Sequence, residues 1–339
     1  MRMRNLFMGS ILGCLTLAAL APHALAIDSK AGTSAYTFLR IGTGAKSQAM
    51  GGAFVGLADD ATALYYNPAG LTATGSNEQS YDELLGKQIY KTPLNRFTAS
   101  YVNYLVDFQY GFVGFVRRLD PAHTKNPAAL GMSVTYQNYG TFKRLDNSGA
   151  QTGTFGASDI AIGVTGSMQL RPRLSAGVTG KLILEKIDTY SSSGVGADLG
   201  LMYLINDAGT TRLGLAVTNV GKQMKGMTSG HKDPLPSKIS AGLSHKMVGL
   251  PFLFSGEVGK PFDNNFYMAL GAELVSIKPF FVRFGWTTVG KDYNVGSGTN
   301  LGGFSGGFGY SYKAYEIDYS YSSYSDLGGV HRVTLDAGF

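Results

Sequence analysis

Few residues in this sequence have the types and spacing that chemistry requires. The run Gly44-Ala45-Lys46-Ser47 holds the ingredients of a phosphate-cradling loop, but lacks the adjacent Gly-Lys-Ser/Thr and the preceding buried strand. Phosphate binding is therefore not expected. The histidines at 123, 231, 245 and 331 form no metal-spaced pair. His123 and His231 fall in connectors, and His331 stands near the start of the last strand, where a rim residue is expected. Ser244-His245 juxtaposes a nucleophile and a base, as a lipid hydrolase in a barrel wall would need. Neighbouring residues of a strand point to opposite faces, however, so the two cannot cooperate. Asp146-Asn147-Ser148-Gly149 is turn chemistry; a calcium loop needs more oxygens at fixed spacing. The expectation is a protein that is not an enzyme and uses no metal or cofactor.

What has to be positioned, then, is a surface or a passage. The chain has 339 residues, of which only 15% are charged, while Gly (47), Tyr (20) and Phe (19) are abundant. That is well below the roughly 25% charge of a soluble domain, and too aromatic for disorder. Arg2 and Arg4, an apolar Leu6–Leu20 core and Ala24-Leu25-Ala26 read as an export leader, with cleavage expected after Ala26. The alternative lipobox, Ile11-Leu12-Gly13-Cys14, is disfavoured because apolar sequence continues beyond it. Cys14 is the one cysteine, so the processed chain has no thiol or disulfide chemistry. Loss of Arg2 and Arg4 with the leader takes the net charge from +6 to +4. The basic residues are scattered, which gives no support to nucleic-acid binding. Beyond residue 26 no apolar run approaches the length of a membrane helix.

From about residue 97 the hydrophobic period is two. Val195, Ala197, Leu199, Leu201, Tyr203 and Ile205 alternate with Asp198 and Asn206; Tyr315, Ile317, Tyr319 and Tyr321 alternate with Glu316, Asp318, Ser320 and Ser322. Runs of nine or more residues exceed the globular norm and match bilayer-spanning strands. Fourteen such runs are predicted, at about 98–105, 107–118, 129–143, 155–171, 174–187, 194–206, 211–221, 236–248, 251–261, 265–276, 279–289, 300–312, 314–324 and 330–339. This is an all-β architecture: a transmembrane antiparallel β-barrel spanning 97–339. Tight turns are expected at Arg171-Pro172-Arg173, Gly249-Leu250 and Lys278, and longer loops at 189–194, 222–236 and 290–299. The connector after Leu119 breaks that alternation. Charge on a lipid-facing position is costly, so Asp159, Arg171, Lys181, Glu185, Asp198, Glu273, Arg283, Glu316 and Asp318 are expected to face the lumen. Phe262, Phe266, Trp286, Tyr310, Tyr312 and Tyr324 are expected at the membrane interfaces. Val333, Leu335, Ala337 and Phe339 share one face of the last strand and form the expected insertion signal.

A fourteen-strand ring is wide enough to need filling or to leave a lumen. Residues 27–96 are the expected filler. Residues 27–35 read as an extended lead-in. Phe38–Leu71 is glycine-rich, almost uncharged, and too apolar for a solvated tail. Asp59 is the expected N-cap of a short helix over Ala61–Tyr65, stopped by Pro68. Residues 72–96 are polar, with few periodic signals, and are read with the same unit.

These residues carry a resemblance. Phe38-Leu39-Arg40-Ile41-Gly42, Met50-Gly51-Gly52-Ala53-Phe54, Ala58-Asp59-Asp60 and Tyr66-Asn67-Pro68-Ala69-Gly70-Leu71 together resemble the N-terminal signature of the PorV/PorQ outer-membrane proteins. These are similar in architecture to the FadL fatty acid transporters, which also carry Asn-Pro-Ala in an N-terminal hatch. Asp326-Leu327-Gly328 and His331-Arg332-Val333 extend the match. The resemblance implies a plugged fourteen-strand barrel in the bacterial outer membrane, surrounded by lipid and inserted by the barrel-assembly machinery. It also implies two roles: passage of hydrophobic small molecules, or, as in PorV, a type IX secretion shuttle that binds exported cargo proteins.

Overall fold

The computed structural model describes residues 28–73, 79–82, 87–90, 93–119, 126–206, 210–275, 279–293 and 301–339. The expected leader with its cleavage after Ala26, His123 and Lys278 lie outside these residues. Strands β1 (Gln79–Asp82) and β2 (Lys87–Tyr90) pair only with each other. The remaining strands are β3 (Asn95–Asn103), β4 (Gln109–Leu119), β5 (Ala128–Leu145), β6 (Gln151–Arg171), β7 (Leu174–Ile187), β8 (Tyr190–Leu204) and β9 (Thr211–Lys225). They continue as β10 (Lys238–Lys246), β11 (Phe252–Pro261), β12 (Tyr267–Leu274), β13 (Phe280–Thr287), β14 (Phe304–Tyr312), β15 (Tyr315–Ser323) and β16 (Gly329–Gly338). Every neighbouring pair is antiparallel, and β16 returns to β3, with Leu335 opposite Ala99, to close a fourteen-strand barrel. Closure leaves no unpaired strand edge, which a bilayer would not tolerate.

The alternation of residue types is the alternation of faces. On β8, Leu199, Leu201 and Tyr203 are exposed while Asp198 and Met202 are buried. On β16, Val333 and Leu335 face outward with Phe339 beyond them. The last backbone groups are held where Phe339 and Asn95 exchange hydrogen bonds of 2.8 and 2.9 Å. We call this end of the ring the C-terminal rim and the other the far rim. Strands β5 and β6 have 18 and 21 residues, more than the roughly 9–11 that span a bilayer, so this part of the wall stands tall at the far rim.

Several expectations are corrected. The β7–β8 connector is a two-residue turn, Asp188-Thr189, rather than a loop over 189–194, because β8 starts at Tyr190 and Asp188 adopts the left-handed φ of 54° that a tight turn requires. Strand β9 runs on to Lys225, so the loop expected from 222 begins later. Residues 28–33 form turns rather than an extended lead-in. The helix at the plug's centre is Ala63–Tyr66, and its N-cap position is Thr62. Asp59 does not cap it, because its carboxylate is engaged by Lys46. It is Asp60 that takes up Thr62, accepting from its backbone N–H at 2.8 Å and from its hydroxyl. Tyr324 leaves the expected interface group, because it turns inward against Tyr104. Arg171 leaves the lumen group, because it stands exposed where β6 ends at the C-terminal rim.

Candidate functional site

Residues 34–72 pack against the inner wall. The interlock is steric before it is polar. A Cβ on Gly285 would lie 2.0 Å from the Gly51 nitrogen, one on Gly242 2.7 Å from the Gly56 nitrogen, and one on Gly177 2.4 Å from the Pro68 carbonyl carbon. Backbone therefore meets backbone at points spread around the ring, and only glycine permits the approach. Within the plug, Gly51 and Gly52 adopt φ of 70° and 80°, and Met50, Phe54, Leu57 and Leu71 are fully buried.

Asn67 explains the Asn-Pro-Ala-Gly run. It is 0% exposed. Its Nδ2 donates to the Val55 carbonyl at 2.9 Å and the Leu201 carbonyl at 3.1 Å, and its Oδ1 accepts from the Ala69 N–H at 3.1 Å. One amide thus joins two stretches of plug to the β8 wall. Pro68 opens the short 3₁₀ turn Pro68–Thr72, where a missing N–H costs nothing. Gly70 is required because a Cβ there would sit 2.3 Å from the Ala58 carbonyl oxygen. Phe54 stacks edge-on against Tyr66 at 5.3 Å, and its backbone N–H meets a residue that sequence reasoning passed over. Glu257 on β11 accepts from the Phe54 and Val55 N–H groups at 3.0 and 2.9 Å, and from the Tyr267 hydroxyl at 2.7 Å. The clue was available: Glu257 is the one carboxylate in the alternating run Phe252–Lys260.

Between the plug and the C-terminal rim lies a buried charge cluster. Arg283, 1% exposed, pairs with Glu273 at 2.5 Å, with Glu316 at 2.9 Å and with Asp318. Three carboxylates around one guanidinium leave a negative excess, and Lys46 of the plug faces it. Burial alone would push the Lys46 ammonium down, but Asp59, Glu273, Asp60 and Glu316 outweigh that and hold it above its ordinary 10.5. Burial likewise pushes the Asp59 carboxyl up, yet Lys46, 2.8 Å away, holds it below the usual 3.8. Asp60 lacks such a direct partner, and burial raises it. Burial also pushes the Tyr66 phenol up to about 12. It stays neutral, donating to the Thr43 carbonyl and accepting from Ser47 and Gln48. Arg332 of β16, the strand next to β15, is 0% exposed, donates to the Gly42 carbonyl at 3.2 Å and ties the plug to the wall there.

Toward the far rim the plug forms the floor of a cavity of about 490 Å³. Tyr65 and Tyr66 supply the floor, and Tyr104, Phe108, Tyr139 and Tyr324 line it above. Phe108 and Tyr139 meet edge to face at 5.0 Å. The plug's first turns are clasped beside this cavity: Arg40 and Ser34 both engage Asp263, and Tyr36 bonds Ser192 at 2.7 Å. Next to it the β5 ladder is interrupted. Asn138 pairs with Ser158 and Thr141 with Gly156, which leaves Tyr139 and Gly140 out of register.

Of the lumen-facing group, Asp159, Asp198, Glu273, Arg283 and Asp318 are buried inside, and Lys181, Glu185 and Glu316 are half-buried. They fall into two sets. Glu273, Arg283, Glu316 and Asp318 belong to the charge cluster. Asp159, Glu185 and the Lys181–Asp198 pair, 2.7 Å apart, line the β6–β8 wall. Ser244 and His245 point apart, the serine to the Gly56 carbonyl at 2.9 Å and the histidine to Thr211 at 2.8 Å. Asp146 folds its turn by accepting from the Ser148 and Ala150 N–H groups.

No protein-family model and no curated protein matches the chain. Solved structures do match. The CymD monoaromatic hydrocarbon channel is 15% identical, over 88% of this chain and 98% of its own, with a TM-score of 0.59. The Pseudomonas putida toluene transporter TodX is 13% identical, over 88% and 99%, with a TM-score of 0.57. A Pseudomonas aeruginosa FadL homologue is 10% identical, over 88% and 99%, with a TM-score of 0.56. At these identities the likeness is one of fold: the closed fourteen-strand barrel of FadL-like outer-membrane channels.

Proposed function

We propose that this chain is an outer-membrane channel that takes small hydrophobic molecules into a plugged barrel. The observation that carries the reading is the aromatic-walled cavity between plug and far rim, enclosed by a ring whose outer face is apolar. A concave, mostly apolar site with a few placed polar groups is the usual form of a small-molecule pocket. Two structural neighbours, a monoaromatic hydrocarbon channel and a toluene transporter, support the ligand class. The register shift in β5 at Tyr139–Gly140 lies beside the cavity, and a side exit toward lipid at that point would let a ligand pass without displacing the plug. The leader-like sequence over 1–26 and the outward face of Val333, Leu335 and Phe339 support export and insertion by the barrel-assembly machinery. Within the FadL-like architecture, PorV/PorQ membership rests on the sequence resemblance alone, in the hatch and at Asp326-Leu327-Gly328 and His331-Arg332-Val333. No observation favours the secretion-shuttle role with exported cargo proteins as partners.

The test is extraction. Protein purified from outer membranes is analysed by mass spectrometry for bound small molecules, and reconstituted vesicles are assayed for uptake of radiolabelled toluene. Bound apolar ligand and saturable uptake are expected. A stoichiometric protein partner with no ligand and no uptake overturns the reading.

A further inference from the structure

One group in the cavity has no internal use. Gln137, on the inner face of β5, is 0% exposed, and it lines the cavity with Tyr139, Tyr104 and Phe108. Neither its amide nitrogen nor its amide oxygen has a hydrogen-bond partner among the described residues. Buried amides are almost always paired, so this one calls for a partner that enters the cavity. Opposite Gln137 in the β5–β6 register stands Asp159. One of its oxygens accepts from the Tyr139 hydroxyl at 2.6 Å, and the other is likewise buried and unpaired. Asp159 in turn faces Glu185 across the β6–β7 register.

These neighbours set the chemistry of the partner. Two carboxylates beside the amide repel an anion. The cations that line the cavity are committed elsewhere: Arg40 to Asp263, Lys181 to Asp198, and Lys238 to the Tyr267 hydroxyl at 3.1 Å. Among the described lining residues, two of these three cations are neutralised by carboxylates, and Lys238, held by the Tyr267 hydroxyl, is the one charge left to attract a carboxylate headgroup. A neutral hydroxyl finds an acceptor and a donor on one amide, next to an edge-to-face aromatic pair that suits a ring.

We propose that Gln137 makes this cavity a site for hydroxylated aromatics of the phenol class, the ring lying among Tyr104, Phe108 and Tyr139 and the hydroxyl bonded to the Gln137 amide. The proposal rests on the cavity being the ligand site. It adds to that reading a polar group that selects within the apolar ligand class.

The test compares three probes that share one ring. p-Cresol, toluene and p-toluate are titrated by calorimetry into the full-length protein in detergent, its fold checked by heat-dependent gel shift. The wild type is expected to bind p-cresol roughly fivefold to tenfold more tightly than toluene, one neutral hydrogen bond's worth, and p-toluate most weakly. Gln137→Met, close in length and shape, is expected to bring p-cresol down to toluene with toluene unchanged. Gln137→Glu, which keeps an acceptor at the same reach, retains the preference. Equal wild-type affinity for p-cresol and toluene overturns the Gln137 assignment alone. So does a preference that survives Gln137→Met. If none of the three probes binds, the cavity is not a site for small aromatics, and the wider reading falls with the assignment.

Discussion

Replacing Asn67 by Ala should loosen the plug and leave the barrel intact. The side chain makes three neutral hydrogen bonds, to the Val55 carbonyl, the Leu201 carbonyl and the Ala69 N–H. At about 1 kcal/mol net for each, the loss is about 3 kcal/mol, and more if the freed Ala69 N–H finds no water. Since every 1.4 kcal/mol is tenfold, the population with an undocked plug rises on the order of 100-fold. The barrel ladder is untouched, because Asn67 is not a strand residue. Hydrogen-exchange mass spectrometry on the detergent-solubilised protein reads the two parts separately. Amides of 54–71 should exchange on the order of 100-fold faster in the variant, while those of β14, β15 and β16 keep the wild-type rate. Unchanged exchange over 54–71 refutes the role given to Asn67. Parallel acceleration in the barrel strands refutes the separation of plug from wall.

Three further outcomes follow from the same geometry. Gly285→Val places side-chain atoms where the Gly51 backbone lies, 2.0 Å from the wall's Cβ position, and should give ion leak in planar bilayers; Gly180→Val, with nothing within 4 Å, should not. Deleting Phe38–Leu71 should leave an insertable, heat-modifiable barrel that leaks small solutes, and a sealed deletion mutant contradicts the plug. The two adjacent aspartates should give opposite pH responses. Burial raises Asp60 above 3.8, so its charge destabilises the docked plug increasingly as pH rises from 3.8 through the raised value. Asp60→Asn should therefore slow exchange over 54–71 at pH 7, with the gain vanishing below about pH 4. Asp59, held low by Lys46, stabilises docking above 3.8 and loses that contribution as pH falls through its depressed value, so Asp59→Asn should speed exchange at pH 7.

The barrel was legible because a lipid-facing wall imposes a period of two on every strand, and a charge that breaks the outward face is penalised. That is why the run at 174–187 coincides with β7, and why Arg283 and Asp318 could be placed inside. Strand ends were less legible, since Tyr190–Ser193 pair across the wall without an apolar signal of their own. The plug was legible as a unit from its glycines and from Asn67-Pro68-Ala69-Gly70. Its internal partners were not. Asp59 and Asp60 are adjacent and alike in type, and only the approach of Lys46 decides which one is paired and which one reaches Thr62. Glu257 and Gln137 were missed for a shared reason. Each sits on an inward face where polar residues are expected, and its importance depends on what lies across the lumen.

The wall glycines also bear on how the plug would come loose. Where side chains fill an interface, small rotamer changes can widen it by degrees. Here plug and wall meet through backbone at Gly177, Gly242 and Gly285, and backbone has no rotamers to yield. Close-packed contacts of this kind hold or release as a whole. Single-channel records of a weakened plug should therefore show discrete jumps between a silent level and one open level, without graded flicker.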